Sequence, residues 1–221
     1  MPIPRKSRLL FVMVIGMLLL SGCLNKQTPV EKIYDVLEKV VTSENGFEEQ
    51  QEPLNELEKQ EKEIYDKIIG LGMKEFDEIK KLSDEAIAIV DKRKEHIDKE
   101  QESIGASQKE FQAISPFIDE IEETASKEKA QELYDIMMQR YQLYDELYQY
   151  YSEGVLLDKE LYTMFKKEDL ELTELDAQIT KINEVYAKIL TSNEKFNEKT
   201  KLYNETKLSF YKESGLKIDT K

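Results

Sequence analysis

Apolar residues return at every seventh position over most of this sequence, and that period dictates helix. Side chains seven apart on an α-helix lie almost on one line, whereas on a strand they fall on opposite faces. In the first segment Ile33, Val40, Phe47, Leu54 and Ile68 share one row, and Val36, Leu57, Ile64 and Leu71 form a second three positions on. Ser43, Gln50 and Glu61 interrupt the rows. The phase survives both Asn45-Gly46 and Pro53, so one helical path to about Ile69 is expected, kinked in that region. A true break there is the competing reading. Gly70-Leu71-Gly72 is a helix-ending turn. A second helix follows from Lys74 to Gln112, with Phe76, Val90, Ile97, Ile104 and Phe111 in its row and Ser83 as the weak member.

The starts of these segments are also written in the sequence. Thr28-Pro29-Val30-Glu31 is a capping box with proline at the first helical position. Ser115-Pro116 repeats the signal, with Ser115 as cap and Asp119 and Glu120 in the first turn, and predicts a third helix to about Ser152, before Gly154. The last stretch has Leu161, Leu175, Ile182, Ile189, Phe196, Tyr203 and Phe210 in one row, flanked by Phe165, Leu172, Ile179 and Tyr186. Leu133, Arg140 and Leu147 share its phase across Gly154, so the third and fourth helices could be one kinked helix. A turn is preferred, because an unbroken helix from Pro116 to Tyr211 would be about 144 Å long, more than twice what the other two helices could cover. The expectation is an all-α fold: an elongated up-and-down bundle of four long helices with coiled-coil-like packing over residues 29–213, followed by a flexible tail, 214–221.

Before the first helix stands a different kind of segment. Arg5, Lys6 and Arg8 precede an apolar run from Leu9 to Leu20, 12 residues long. That is too short for a permanent span of a hydrocarbon core about 30 Å thick. The run ends in Leu20-Ser21-Gly22-Cys23, and Cys23 is the one cysteine of the chain. An ordinary signal peptide with a coincidental cysteine and an uncleaved anchor are the competing readings. Disulfide pairing within the chain is excluded.

Leu20-Ser21-Gly22-Cys23 resembles the bacterial lipobox. The resemblance implies that residues 1–22 are a lipoprotein signal peptide, that the Cys23 thiol receives a diacylglyceryl group, and that cleavage leaves Cys23 as the new N-terminus. Leu20, Ser21 and Gly22 would be the recognition positions, and residues 23–28 a lipidated N-terminus with a very short linker. Two acyl chains anchor stably where one does not. The implied place is the outer face of the cell membrane, with the lipid as the membrane partner.

Residues 23–221, 199 in all, suffice for one core and fall short of a two-lobed solute-binding protein. They carry 29 Lys and Arg against 46 Asp and Glu, a net charge of −17. Such acidity argues against nucleic acid as a partner and against lying flat on anionic lipid. Charged residues make up 35% of the chain and tryptophan is absent, which fits long, solvent-facing helices. A lipobox, a short linker and about 190 residues of Lys/Glu-rich helix with scattered tyrosines resemble, over the whole chain, the YkyA-type cell-wall-binding lipoproteins of Gram-positive bacteria. The resemblance implies a surface lipoprotein that meets the wall; it transfers no functional residues.

Chemistry is sparse. The lone histidine, His96, sits beside the Ile97 core position, where a solvated side chain is expected. A Ser-His-Asp triad would have to use it without a nucleophile elbow. The Glu-x-x-His pairs of di-iron bundles are absent, since Arg93 stands three residues before it. Glu48-Glu49 and Glu122-Glu123 lack any EF-hand pattern and read as solvated acidic faces. No phosphate loop exists. The chain is therefore expected to have no catalytic residues, no metal and no cofactor, and not to be an enzyme.

One segment stands apart from this background. Tyr134, Tyr141, Tyr144, Tyr148, Tyr150 and Tyr151 are six of the chain's 12 tyrosines. Tyr134, Tyr141 and Tyr148 form one heptad row, Met137, Tyr144 and Tyr151 the next, beside Leu133, Ile136, Leu143 and Leu147. This arc is wider than one seam needs. Either the helix touches two neighbours, or Tyr134, Tyr141, Tyr144, Tyr148 and Tyr151 present a binding surface for sugar rings or a partner helix. Two functions fit: a non-catalytic binding module for peptidoglycan or its glycans, or a helical scaffold that docks a membrane or envelope protein.

Overall fold

The structure, a computed structural model, describes residues 27–216. The lipobox, Cys23 and residues 217–221 of the expected tail lie outside the described residues. Six α-helices and one 3-10 turn follow in order, with no strand among the described residues. They are α1 (Pro29–Ser43), α2 (Asn45–Gly70), the turn Met73–Glu75, α3 (Phe76–Gln112), α4 (Ser115–Asp119), α5 (Thr124–Met164) and α6 (Leu172–Glu213). α1 and α2 run end to end as the first leg of a four-legged bundle; α3, α5 and α6 are the others. Legs adjacent in sequence are adjacent in space, and α6 closes the ring on the first leg through Tyr34–Tyr211 and Phe47–Phe196.

The capping box at the start of α1 forms as its sequence predicts: Glu31 N–H donates to Thr28 Oγ1 at 3.2 Å and Thr28 N–H to Glu31 Oε2 at 2.8 Å. The first leg is broken at Glu44, and Pro53 rides inside α2 without ending it. Backbone groups freed at the break are met by one hydroxyl. Ser103 Oγ donates to Ser43 O at 2.7 Å and accepts from Phe47 N–H at 3.0 Å. Gly46 makes that approach possible, since a Cβ there would stand 3.2 Å from Ser103 Oγ.

The third helix differs from expectation at both ends. Ser115-Pro116 opens only the short α4; the long helix is capped by Glu123, whose carboxylate accepts from Ala125 and Ser126 N–H. Gly154 ends nothing: α5 runs through it to Met164, and the turn falls at residues 165–171. The physical reason is packing. A Cβ at Gly154 would lie 3.3 Å from Ile189 Cδ1, so the missing side chain lets α5 and α6 close on each other. With α5 and α6 at 41 and 42 residues, the bundle is about 60 Å long.

Two apolar clusters fill it. One, at the end holding the start of α1, gathers Ile33, Leu37, Ile104, Phe111, Leu133, Tyr203 and Phe210 among others. The other, at the far end, includes Ile64, Ile68, Leu82, Val90, Val155, Leu161 and Ile189. The heptad row of the last helix is core from Ile189 onward; Leu175 and Ile182 are only half-buried, and Leu172 is exposed.

Candidate functional site

Tyrosines 134–151 belong to α5, the leg with α3 on one side and α6 on the other. That position accounts for the width of their arc. Tyr141, Tyr144 and Tyr151 are buried; Tyr134 and Tyr148 are half-buried, as is Tyr150. No common exposed face joins the five candidate residues. Phe111 stacks on Tyr134 and meets Tyr141 edge-on, and Tyr144 lies against Phe47 and Phe196. Burial raises the Tyr141, Tyr144 and Tyr151 hydroxyls above the ordinary value of 10.0.

What the tyrosyl hydroxyls reach is the most unusual part of the molecule: polar layers across the bundle, with a contribution from every leg. In the layer nearer the α1 start, Arg140 of α5 donates to both oxygens of Glu44 at 2.7 and 2.8 Å and, through Nε, to Thr200 Oγ1 of α6 at 2.9 Å. Ser107 of α3 donates to Glu44 at 2.8 Å, which leaves its Oγ to accept a hydrogen bond from the Tyr141 hydroxyl at 2.7 Å. The guanidinium also lies 4.6 Å from the Phe196 ring centre, a cation–π contact.

The far layer centres on Arg93 of α3, which is 2% exposed. It donates to Glu61 of α2 at 2.5 Å, Asp158 of α5 at 3.0 Å, Tyr151 of α5 at 2.9 Å and Tyr186 of α6 at 3.0 Å. Each tyrosine hydroxyl in turn donates a hydrogen bond, Tyr186 to Asp158 and Tyr151 to Glu58. Burial, opposed by Arg93, pushes the Glu61 carboxyl up to about 7, and burial raises Asp158 as well. Between the layers, Glu100 of α3 is 3% exposed and accepts from Gln51 of α2 at 2.5 Å and Tyr144 of α5 at 3.1 Å. Burial pushes it up to about 7.

The heptad pattern half announced these residues. Glu61 and Arg140 sit in the core rows as interruptions, and Ile79, Ala86, Arg93, Glu100 and Ser107 form a second buried row on α3 that apolar residues alone do not mark. His96 is half-buried rather than solvated, its Nδ1 2.7 Å from Gln50 Oε1. Glu48, Glu49, Glu122 and Glu123 are exposed. Among the described residues, no group of three or more His, Cys, Asp or Glu is arranged to hold a metal. No helix among them is long and apolar enough to cross a membrane. The buried charges of both layers are hydrogen-bonded across helices, an arrangement that specifies which helix faces which.

Comparison with known proteins decides the family. Residues 28–213 match the family model YkyA, described as "Putative cell-wall binding lipoprotein". The chain belongs to the YkyA lipoprotein family. It is 37% identical over 201 residues to "Uncharacterized lipoprotein YkyA" of Bacillus subtilis (strain 168), an alignment covering 91% of this chain and 90% of that one. The fold resembles the crystal structure of a conserved protein of unknown function from Staphylococcus aureus, with a TM-score of 0.74 and 16% identity over 85% of this chain and 97% of that one. Membership makes this a lipoprotein and implies attachment at the membrane surface. The described residues begin four positions after Cys23.

Proposed function

We propose that the chain is a non-catalytic wall-binding rod, tethered by a diacylglyceryl group on Cys23 to the outer face of the membrane. One observation carries the reading. The first helix starts at Pro29, only six positions after Cys23, at one end of a bundle about 60 Å long. Such a tether holds that end at the lipid. The opposite end, with residues 70–76 and 165–171, then stands toward the wall. The family description supports the wall as the partner. A net charge of −17 over residues 23–221 keeps the rod off anionic lipid, and against anionic wall polymers it calls for bridging cations.

A second reading, a scaffold for an envelope protein, draws on the exposed Ile69 and Leu172 at the far end, 53% and 76% accessible. Co-sedimentation of the purified protein with peptidoglycan, with and without magnesium, tests the first reading. Retention on the wall supports it. A protein that stays in the supernatant under both conditions, yet cross-links to one envelope protein in cells, refutes it in favour of the second.

A further inference from the structure

The count of buried charges in this bundle does not balance. Two guanidiniums, Arg93 and Arg140, face four buried carboxyls, Glu44, Glu61, Glu100 and Asp158. Glu44 takes Arg140 entirely, through both oxygens. Glu61 and Asp158 divide Arg93 between them, both bonded to Nη1, with half-buried Glu58 3.8 Å from the same guanidinium. Glu100 has Gln51 and Tyr144, both neutral, and among the described residues no cation is paired with it. An isolated carboxylate out of water is costly, and the ordinary escape is to keep its proton.

The element that closes over these groups is α2. Its buried residues are Leu54, Glu61, Ile64 and Ile68, three apolar side chains in 26 positions. Half-buried Phe47 and Tyr65 add aromatic contacts, and the other attachments are polar: Gln50 to His96, Gln51 to Glu100, Glu58 to Tyr151 and Glu61 to Arg93. At its start the chain is already broken at Glu44, with Gly46 two residues on. α5 and α6, by contrast, share a long interface that Gly154 draws tight.

We propose that α2 is an arm latched onto the bundle by two carboxyl protons, one on Glu100 and one shared by Glu61 and Asp158, and that it loosens at the Glu44 break when those protons leave. Every element packed around the latch contributes to the field. α2 brings Glu58 and Glu61; α3 brings Arg93 and Glu100; α5 brings Arg140, Tyr144, Tyr148, Tyr151, Asp158 and Tyr162; α6 brings Tyr186. With both protons gone, Glu58, Glu61 and Asp158 surround one guanidinium and Glu100 stands bare nearby. Loosening α2 hydrates Glu58, Glu61 and Glu100 together, and this gain is set against its apolar contacts through Phe47, Leu54, Ile64, Tyr65 and Ile68. The direction for Glu61 and Glu100, each up to about 7, puts the change near neutral pH.

Hydrogen exchange of the full-length, lipid-anchored protein in detergent micelles, corrected for intrinsic rates, tests this. Between about pH 5 and about pH 8.5, amides of residues 45–70 should lose protection about tenfold or more, while those of α5 and α6 change by less than about threefold. Protection of α2 that does not move with pH, or a loss shared equally by all helices, overturns the proposal. In Glu61→Gln, Glu100→Gln the differential loss should vanish, and its persistence there would also overturn it. If that double variant does not fold, the wild-type exchange pattern alone decides.

Discussion

Arg140 on α5 and Glu44 between α1 and α2, 96 positions apart, meet inside the bundle through two parallel hydrogen bonds of 2.7 and 2.8 Å. Glu44 is 7% exposed and Arg140 2%. The break in the first leg and the ion pair are one feature. Interrupting the helix at Glu44 turns its carboxylate toward the guanidinium, and Ser103 takes up the backbone groups that the interruption releases. Bidentate geometry gives the pair direction as well as attraction, so it registers the first leg against α5.

Truncating either partner leaves the other buried and alone. Arg140→Ala or Glu44→Ala should each cost about 3–5 kcal/mol, measured by urea denaturation of the purified protein. The double change Arg140→Met, Glu44→Leu should recover most of that loss, because the cost lies mainly in the stranded charge. Single variants that lose less than about 1 kcal/mol would mean the pair is solvated.

Stability should fall as pH rises from about 4.5 toward about 7 and then level off. In the unfolded chain Glu61 and Glu100 ionise near their ordinary value of 4.5, whereas in the bundle they hold protons up to about 7. Between those values the folded state binds more protons, so each unit of rising pH favours unfolding. The total is at most roughly 3 kcal/mol for each group. Urea midpoints at pH 5 and pH 8 check it, and Glu100→Gln should flatten part of the difference. A protein more stable at pH 8 would refute the sign.

The tyrosines of α5 should behave as core. Tyr144→Ala and Tyr151→Ala should each lose about 3–5 kcal/mol, as large aromatic truncations do. Tyr144→Phe keeps the ring and removes one of two donors to Glu100, so a loss of about 1–2 kcal/mol is expected. Thermal melting and wall co-sedimentation on the same samples separate packing from recognition. Binding lost by a variant that melts like the wild type would restore these side chains to a ligand-facing role.

Helix, bundle and the order of the legs were legible because a seven-residue apolar period has few other solutions. The capping box at Thr28 was legible for the same kind of reason, since it is a local exchange of two hydrogen bonds. Turn placement around Gly154 was not. A glycine that ends a helix and one that admits a neighbouring helix look alike until Ile189 is seen against it. The break at Glu44 was half legible: Asn45-Gly46 marked the region as a kink or a break, but the Arg140 that Glu44 meets there is 96 positions away. The polar layers were half visible: Glu61 and Arg140 fell in apolar phase, but only the fold brings each to an opposite charge.

Cys23→Ser should release the protein from the membrane. Leu20-Ser21-Gly22-Cys23 ends an apolar run of 12 residues, too short for a permanent span, and no helix of the described residues can substitute for it. Residues 23–221 offer no compensating attraction, because they carry a net charge of −17 and anionic lipid repels them. Without the thiol there is no site for the diacylglyceryl group, and cleavage should be blocked or misplaced, which leaves at most an uncleaved signal segment as a weak hold. Membrane fractions washed at alkaline pH should retain the wild type and lose the variant. Retention of Cys23→Ser through that wash would mean that something other than the lipid holds the rod to the membrane.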